Sequence, residues 1–101
     1  MRIIRRALLG AAVALAALPA AAQDTIKIAY IDPLSGPFAN VGELGVHHFQ
    51  FFMERVNAKG GVLGKKLELV PLDSKSNPQD TQIALKRVID DGIRFVLQGN
   101  G

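Results

Sequence analysis

A chain of 101 residues with 12 basic and 9 acidic side chains, a formal net charge of +3 and no cysteine is long enough for one small domain. The missing cysteine excludes disulfides, thiolate catalysis, cysteine-bound metals and a cysteine-linked lipid anchor. The positive excess sits at the amino end, so it gives no ground for nucleic-acid binding.

Arg2, Arg5 and Arg6 form a basic start, and Ala7 to Leu18 is an uninterrupted apolar run. Pro19 breaks it, and Ala20-Ala21-Ala22 is the small-residue pattern a signal peptidase accepts. The run falls well short of the roughly 20 residues needed to span a bilayer. Residues 1–22 therefore read as a cleavable signal peptide, with the cut between Ala22 and Gln23 and no stable membrane insertion afterwards. Three of the twelve basic residues leave with it, so nine basic side chains then face nine acidic ones. Export without an anchor points to a periplasmic location.

The mature part alternates strands and helices. Residues 25–31 (TIKIAYI) are β-branched and aromatic, with apolar residues on both faces towards the end, as in a buried parallel strand. The loop Asp32 to Asn40 (DPLSGPFAN) carries two prolines and a glycine and is a stiff connection. A helix is predicted from about Val41 to Ala58, with Gly45, Phe49, Phe52, Met53 and Val56 as its apolar stripe. Lys59-Gly60-Gly61 ends it, glycine being free to take the left-handed conformation of a helix C-cap.

Residues 67–73 (LELVPLD) form the second strand, and Pro71, lacking a ladder donor, places it at a sheet edge or turns that position outward. Asn77 is an N-cap, Pro78 the first helical residue and Asp80 a first-turn carboxylate. Ala84, Leu85, Val88 and Ile89 are expected to be the buried stripe of this helix, and Gly92 closes it with Ile93 folded back over its end. Residues 95–98 (FVLQ) are the third strand, followed by the glycine-rich Gly99-Asn100-Gly101.

This alternation implies an α/β fold: an open parallel sheet built as βαβαβ with right-handed crossovers and strand order 2-1-3. In such a sheet a crevice opens at the carboxyl ends of the strands where the winding reverses, here between strands one and three. A small-molecule ligand is therefore expected against the loop Asp32 to Asn40 and against Gly99, Asn100 and Gly101. Ser35 is the leading side chain there. Its hydroxyl could meet a ligand, or could bond its own backbone. Asp32 could orient an ammonium group or serve as a turn former. His47 and His48 are adjacent, about 100° apart on a helix, and cannot share one metal. No metal site and no cofactor is expected.

IKIAYIDPLSGPFANVG, NAKGGVLGKKLELVPLDS and NPQDTQIALKRVIDDGIRFVLQGNG together resemble the amino-terminal lobe of the type I periplasmic binding proteins, nearest to the leucine/isoleucine/valine-binding branch that serves ABC importers. The resemblance covers the whole mature part. It implies that residues 23–101 are the first part of one ligand-binding lobe, with the second lobe and the hinge outside this sequence. It also implies a branched-chain or related small amino acid, an amide or an organic acid as ligand, and ABC transporter permease subunits as partners. Branched-chain members commonly carry a tyrosine beside the pocket in the loop after strand one; Val41 stands at that place, a departure that bears on ligand identity. No Ser-His-Asp constellation, HExxH motif or P-loop occurs, so a catalytic residue is not expected. Two other classes compete: a ligand-sensing lobe of a receptor or regulator, and a flavodoxin-like or Rossmann enzyme, which would need a glycine fingerprint that DPLSGPFAN does not supply.

Overall fold

The structure is a computed structural model that describes residues 24–99. The signal peptide assigned to residues 1–22, and the site residues Asn100 and Gly101, lie outside the described residues. Strand β1 (Thr25–Asp32) leads through a 3-10 turn (Gly36–Phe38) into helix α1 (Ala39–Ala58). Strand β2 (Lys66–Asp73), helix α2 (Pro78–Asp90) and strand β3 (Phe95–Gln98) follow.

The sheet order is β2-β1-β3, with both pairings parallel. β1 runs beside β2 from Thr25 opposite Lys66 to Asp32 opposite Asp73, and beside β3 from Ile28 opposite Phe95 to Ile31 opposite Gln98. The expected order, and the edge position that Pro71 requires of β2 among the described strands, both hold.

A central parallel strand must be apolar on both faces because a helix covers each. Ala29 and Ile31 point to one side, where they pack with Ala84 and Val88 of α2 and with Leu72 and Ile93. Tyr30 points to the other, where its ring lies 5.2 Å from that of Phe49 on α1. All of Ala29, Tyr30, Ile31 and Asp32 are buried.

The helix ends follow the glycine pattern. Gly61 N–H donates to Val56 O and Gly60 N–H to Asn57 O, so the last carbonyls of α1 are satisfied by glycines at positive φ. α2 closes in the same way, with Ile93 N–H donating to Val88 O and Gly92 N–H to Ile89 O. At its start the Asn77 side chain accepts from Gln79 N at 2.8 Å, and Pro78 takes the first position.

Two expected stripes are narrower in the structure. On α2, Ala84 and Val88 are buried, but Leu85 and Ile89 are exposed, Ile89 by 74%. Leu85 and Ile89 form the adjacent i, i+4 row, about 100° round the helix from the first. Among the described residues, the three strands meet only one row. On α1, Met53 is buried while Phe52 is 61% exposed, paired edge-to-face with Phe51 rather than set in the core. α1 also begins earlier than Val41, because the 3-10 turn Gly36–Phe38, with Pro37 at its centre, runs directly into the helix at Ala39.

Candidate functional site

The carboxyl ends of all three strands meet at a cavity of about 700 Å3. Asp32, Pro33, Phe38 and Val41, from the end of β1 to the first turn of α1, form one wall. Ser74, Ser76, Asn77, Pro78, Thr81 and Gln82, from the β2–α2 loop and the first turns of α2, form the facing wall, and Gln98 closes the side at β3. The first wall is apolar apart from Asp32; the second is mostly hydroxyl and amide. Among the described residues no Lys or Arg lines the cavity, and Asp32 is the one carboxylate in the lining. A second concavity, of about 540 Å3, lies at the opposite end of the sheet and includes Thr25, Lys65 and Arg94. In parallel α/β sheets ligand sites form at the carboxyl ends, where loops and helix N-termini converge, which favours the first cavity as the candidate.

The β1–α1 loop is held by Asp73 at the end of β2. Asp73 Oδ1 accepts from Leu34 N and from Lys75 N, both at 2.8 Å. The Ser35 hydroxyl also bonds the Asp73 carboxylate. Burial by itself would raise the Asp73 carboxyl; the hydrogen bonds from Ser35, Leu34 and Lys75 and the charge of Lys75 outweigh it and hold the group below its ordinary value of 3.8. A carboxylate with a depressed folded-state pKa stabilises the fold above its unfolded value and loses that contribution as pH falls through the folded one. Acidification below about pH 4 should therefore destabilise the wild-type protein more than Asp73→Asn, whose amide does not titrate in this range. Melting temperatures taken from neutral pH down to about pH 3 check this; parallel curves for the two proteins would remove Asp73 from the account.

Of the site residues expected from sequence, Val41 lines the cavity. Ser35 does not: it is exposed and its hydroxyl is engaged by Asp73, a local role played through a neighbouring strand rather than its own backbone. Gly99 follows Gln98 at the cavity's edge and passes over Asp32 and Tyr30. His47 and His48 are exposed on α1, and no group of three metal-ligating side chains occurs among the described residues.

The wall from Ser74 to Gln82 was not foreseen, because the winding reversal pointed only to the loops after β1 and β3. Its signal was present: Asp73-Ser74 closes a strand whose carboxyl end lies beside that of β1. Lys75 and Ser76 both take positive φ, near +52° and +54°, the kind of local strain that shapes a loop.

Residues 25–101 match the periplasmic binding protein family. The chain belongs to this family. It is 34% identical over 97 residues to the Leu/Ile/Val-binding protein of Escherichia coli (strain K12), covering 96% of this chain and 26% of that protein. Among solved structures, a branched-chain amino acid ABC transporter protein from Rhodospirillum rubrum superposes with a TM-score of 0.70 at 25% identity, covering 74% of this chain and 22% of that one. A branched-chain amino acid transporter substrate-binding protein from Streptococcus pneumoniae, solved in complex with isoleucine, gives 0.65 at 30% identity, covering 72% and 21%. The chain thus spans about a quarter of the curated relative's length. This is a family of binding proteins, and no helix among the described residues is long and apolar enough to cross a membrane.

Proposed function

We propose that this chain supplies one side of the ligand cleft of a periplasmic solute-binding protein serving an ABC importer, exported with removal of residues 1–22, and that the protein is not an enzyme. The observation that carries the reading is the cavity at the strand carboxyl ends, with an apolar wall at Pro33, Phe38 and Val41 and a neutral polar wall opposite. That pairing suits a small solute with an apolar body and a polar head, such as a branched-chain or related amino acid, an amide or an organic acid. With no basic side chain in the lining among the described residues, an anionic head would be met by hydroxyls, amides and the first turn of α2. Permease subunits of the importer are the partners this role requires.

Isothermal titration of the full-length gene product with leucine, isoleucine, valine, simple amides and organic acids tests the reading. At least one compound should bind with a micromolar or tighter Kd. Val41→Trp, which fills the cavity from its apolar side, should weaken that binding by about tenfold or more while the apo protein melts within a few degrees of wild type. Absence of binding across the panel, or an unchanged affinity in Val41→Trp, would count against this cleft.

A further inference from the structure

A buried polar pair lies at the base of the cavity, and its form is unusual for a strand core. Tyr30 is 1% exposed and Asp32 is fully buried. Being two residues apart on β1, they share one face of the strand. The Tyr30 hydroxyl donates to Asp32 Oδ2 at 2.5 Å. Burial first, then the hydrogen bond to Asp32 and its charge, push the Tyr30 phenol up to about 12, so the hydroxyl stays a donor throughout the physiological range. For packing against Phe49 alone, phenylalanine would serve without the cost of desolvating a hydroxyl and a carboxylate.

Two other segments of the chain close on this hydrogen bond, and each does so at a glycine. A Cβ at Gly45 of α1 would stand 2.0 Å from the Tyr30 hydroxyl oxygen. A Cβ at Gly99, where the chain leaves β3, would stand 2.1 Å from Asp32 Oδ2 and 2.4 Å from the same hydroxyl. β1, α1 and the exit from β3 therefore converge on one side-chain contact, and Gln98, the residue before Gly99, lines the cavity.

We propose that Tyr30 and Asp32 are positioning residues of the cleft: their buried contact determines where the backbone runs at Gly99, and with it how the β3 side of the cavity is presented to a ligand. The inference rests on the cleft reading above. Tyr30 acts through Asp32 and Gly99 and touches no ligand itself. The pair makes Gly99 a position where any side chain displaces the chain from the site.

The test is a double-mutant cycle on the full-length gene product with Tyr30→Phe, Gly99→Ala and the double variant, read by unfolding equilibria and by titration with L-leucine. Tyr30→Phe keeps the ring on Phe49 and removes the hydroxyl oxygen that would stand 2.4 Å from a Cβ at Gly99, so Gly99→Ala should cost less in that background. A departure from additivity of about tenfold in the unfolding constant is expected, whereas a ring that only packs would give additive costs. Leucine affinity should fall by about tenfold in Tyr30→Phe, beside the loss of stability that removing a buried donor from Asp32 brings. Additive unfolding costs, or an unchanged affinity in Tyr30→Phe, would overturn the proposal. A wild-type protein that does not bind leucine would count against leucine as the solute, and the unfolding cycle would still decide the role of the pair.

Discussion

Gly42→Ala should destabilise the protein by about 3 kcal/mol, at the upper end of ordinary overpacking, although alanine is the better helix former by about 1 kcal/mol. Gly42 is buried on the first turns of α1, and a Cβ there would stand 1.6 Å from the carbonyl oxygen of Pro33 and 3.1 Å from the Leu34 side chain. The obstacle is backbone. It cannot swing aside as a side chain can, so either α1 moves away from the sheet or the Pro33–Leu34 segment shifts. That segment is pinned by the bond from Leu34 N to Asp73, and Pro33 and Val41 both line the cavity. Ligand affinity should therefore fall along with stability. Gly64→Ala is the control: φ there is +77° and nothing lies within 4 Å, so only the left-handed backbone penalty of about 1–2 kcal/mol applies. Chemical denaturation of both variants checks this. A Gly42→Ala loss no larger than that of Gly64→Ala would show that α1 does not rest against the Pro33 carbonyl.

Asn57→Ala should cost about 2–3 kcal/mol, well above the usual effect of a substitution near a helix end. The Asn57 side chain accepts from Leu67 N at 2.7 Å and donates to Leu67 O at 2.9 Å, so one amide satisfies both backbone groups of a residue at the start of β2. The next residues turn through Gly60 and Gly61 and an isolated bridge between Val62 and Lys65. The amide thus closes a loop from the end of α1 to the first pairs of β2 against β1. Alanine leaves a half-buried N–H and C=O without that partner, and the desolvation cost of the stranded groups dominates. Asn57→Asp keeps the acceptor but sets a carboxylate against the Leu67 carbonyl, and should be at least as damaging. Denaturation of Asn57→Ala and Asn57→Asp measures this; a loss under about 0.5 kcal/mol in both would leave the bridge without energetic weight.

Neither effect was visible in the sequence, for a common reason. In the NAKGG run, Lys59-Gly60-Gly61 is legible as a helix stop because glycine's permitted φ is a local property of the chain. That its asparagine reaches ten residues ahead depends on how α1 lies across the sheet. Gly42 raised no expectation at all: its need for a missing Cβ comes from the Pro33 carbonyl, which only the tertiary fold brings near.

Element types, the helix stops at Gly60-Gly61 and Gly92, the Asn77-Pro78 start and the order β2-β1-β3 were legible because each follows from short-range chemistry or from topology rules that need only the alternation of strands and helices. β1 was legible as the central strand because residues 28–31 are apolar on both faces. Helix faces were only half legible. Period alone marks a wide apolar band on α2, and which of its rows is covered depends on what packs against it: the described strands cover Ala84 and Val88 and leave Leu85 and Ile89 exposed.

At the site, the carboxyl ends of the strands and Val41 were within reach of topology and resemblance. Three assignments needed the folded chain: the capture of the Ser35 hydroxyl by Asp73, the wall from Ser74 to Gln82, and the closing of Gly45 and Gly99 on the Tyr30–Asp32 pair. Each joins segments far apart in sequence through hydrogen bonds or contacts a few ångströms long. Local propensity and hydrophobic period act over one or two turns of chain, and contain no information about which distant backbone will arrive against a given side chain.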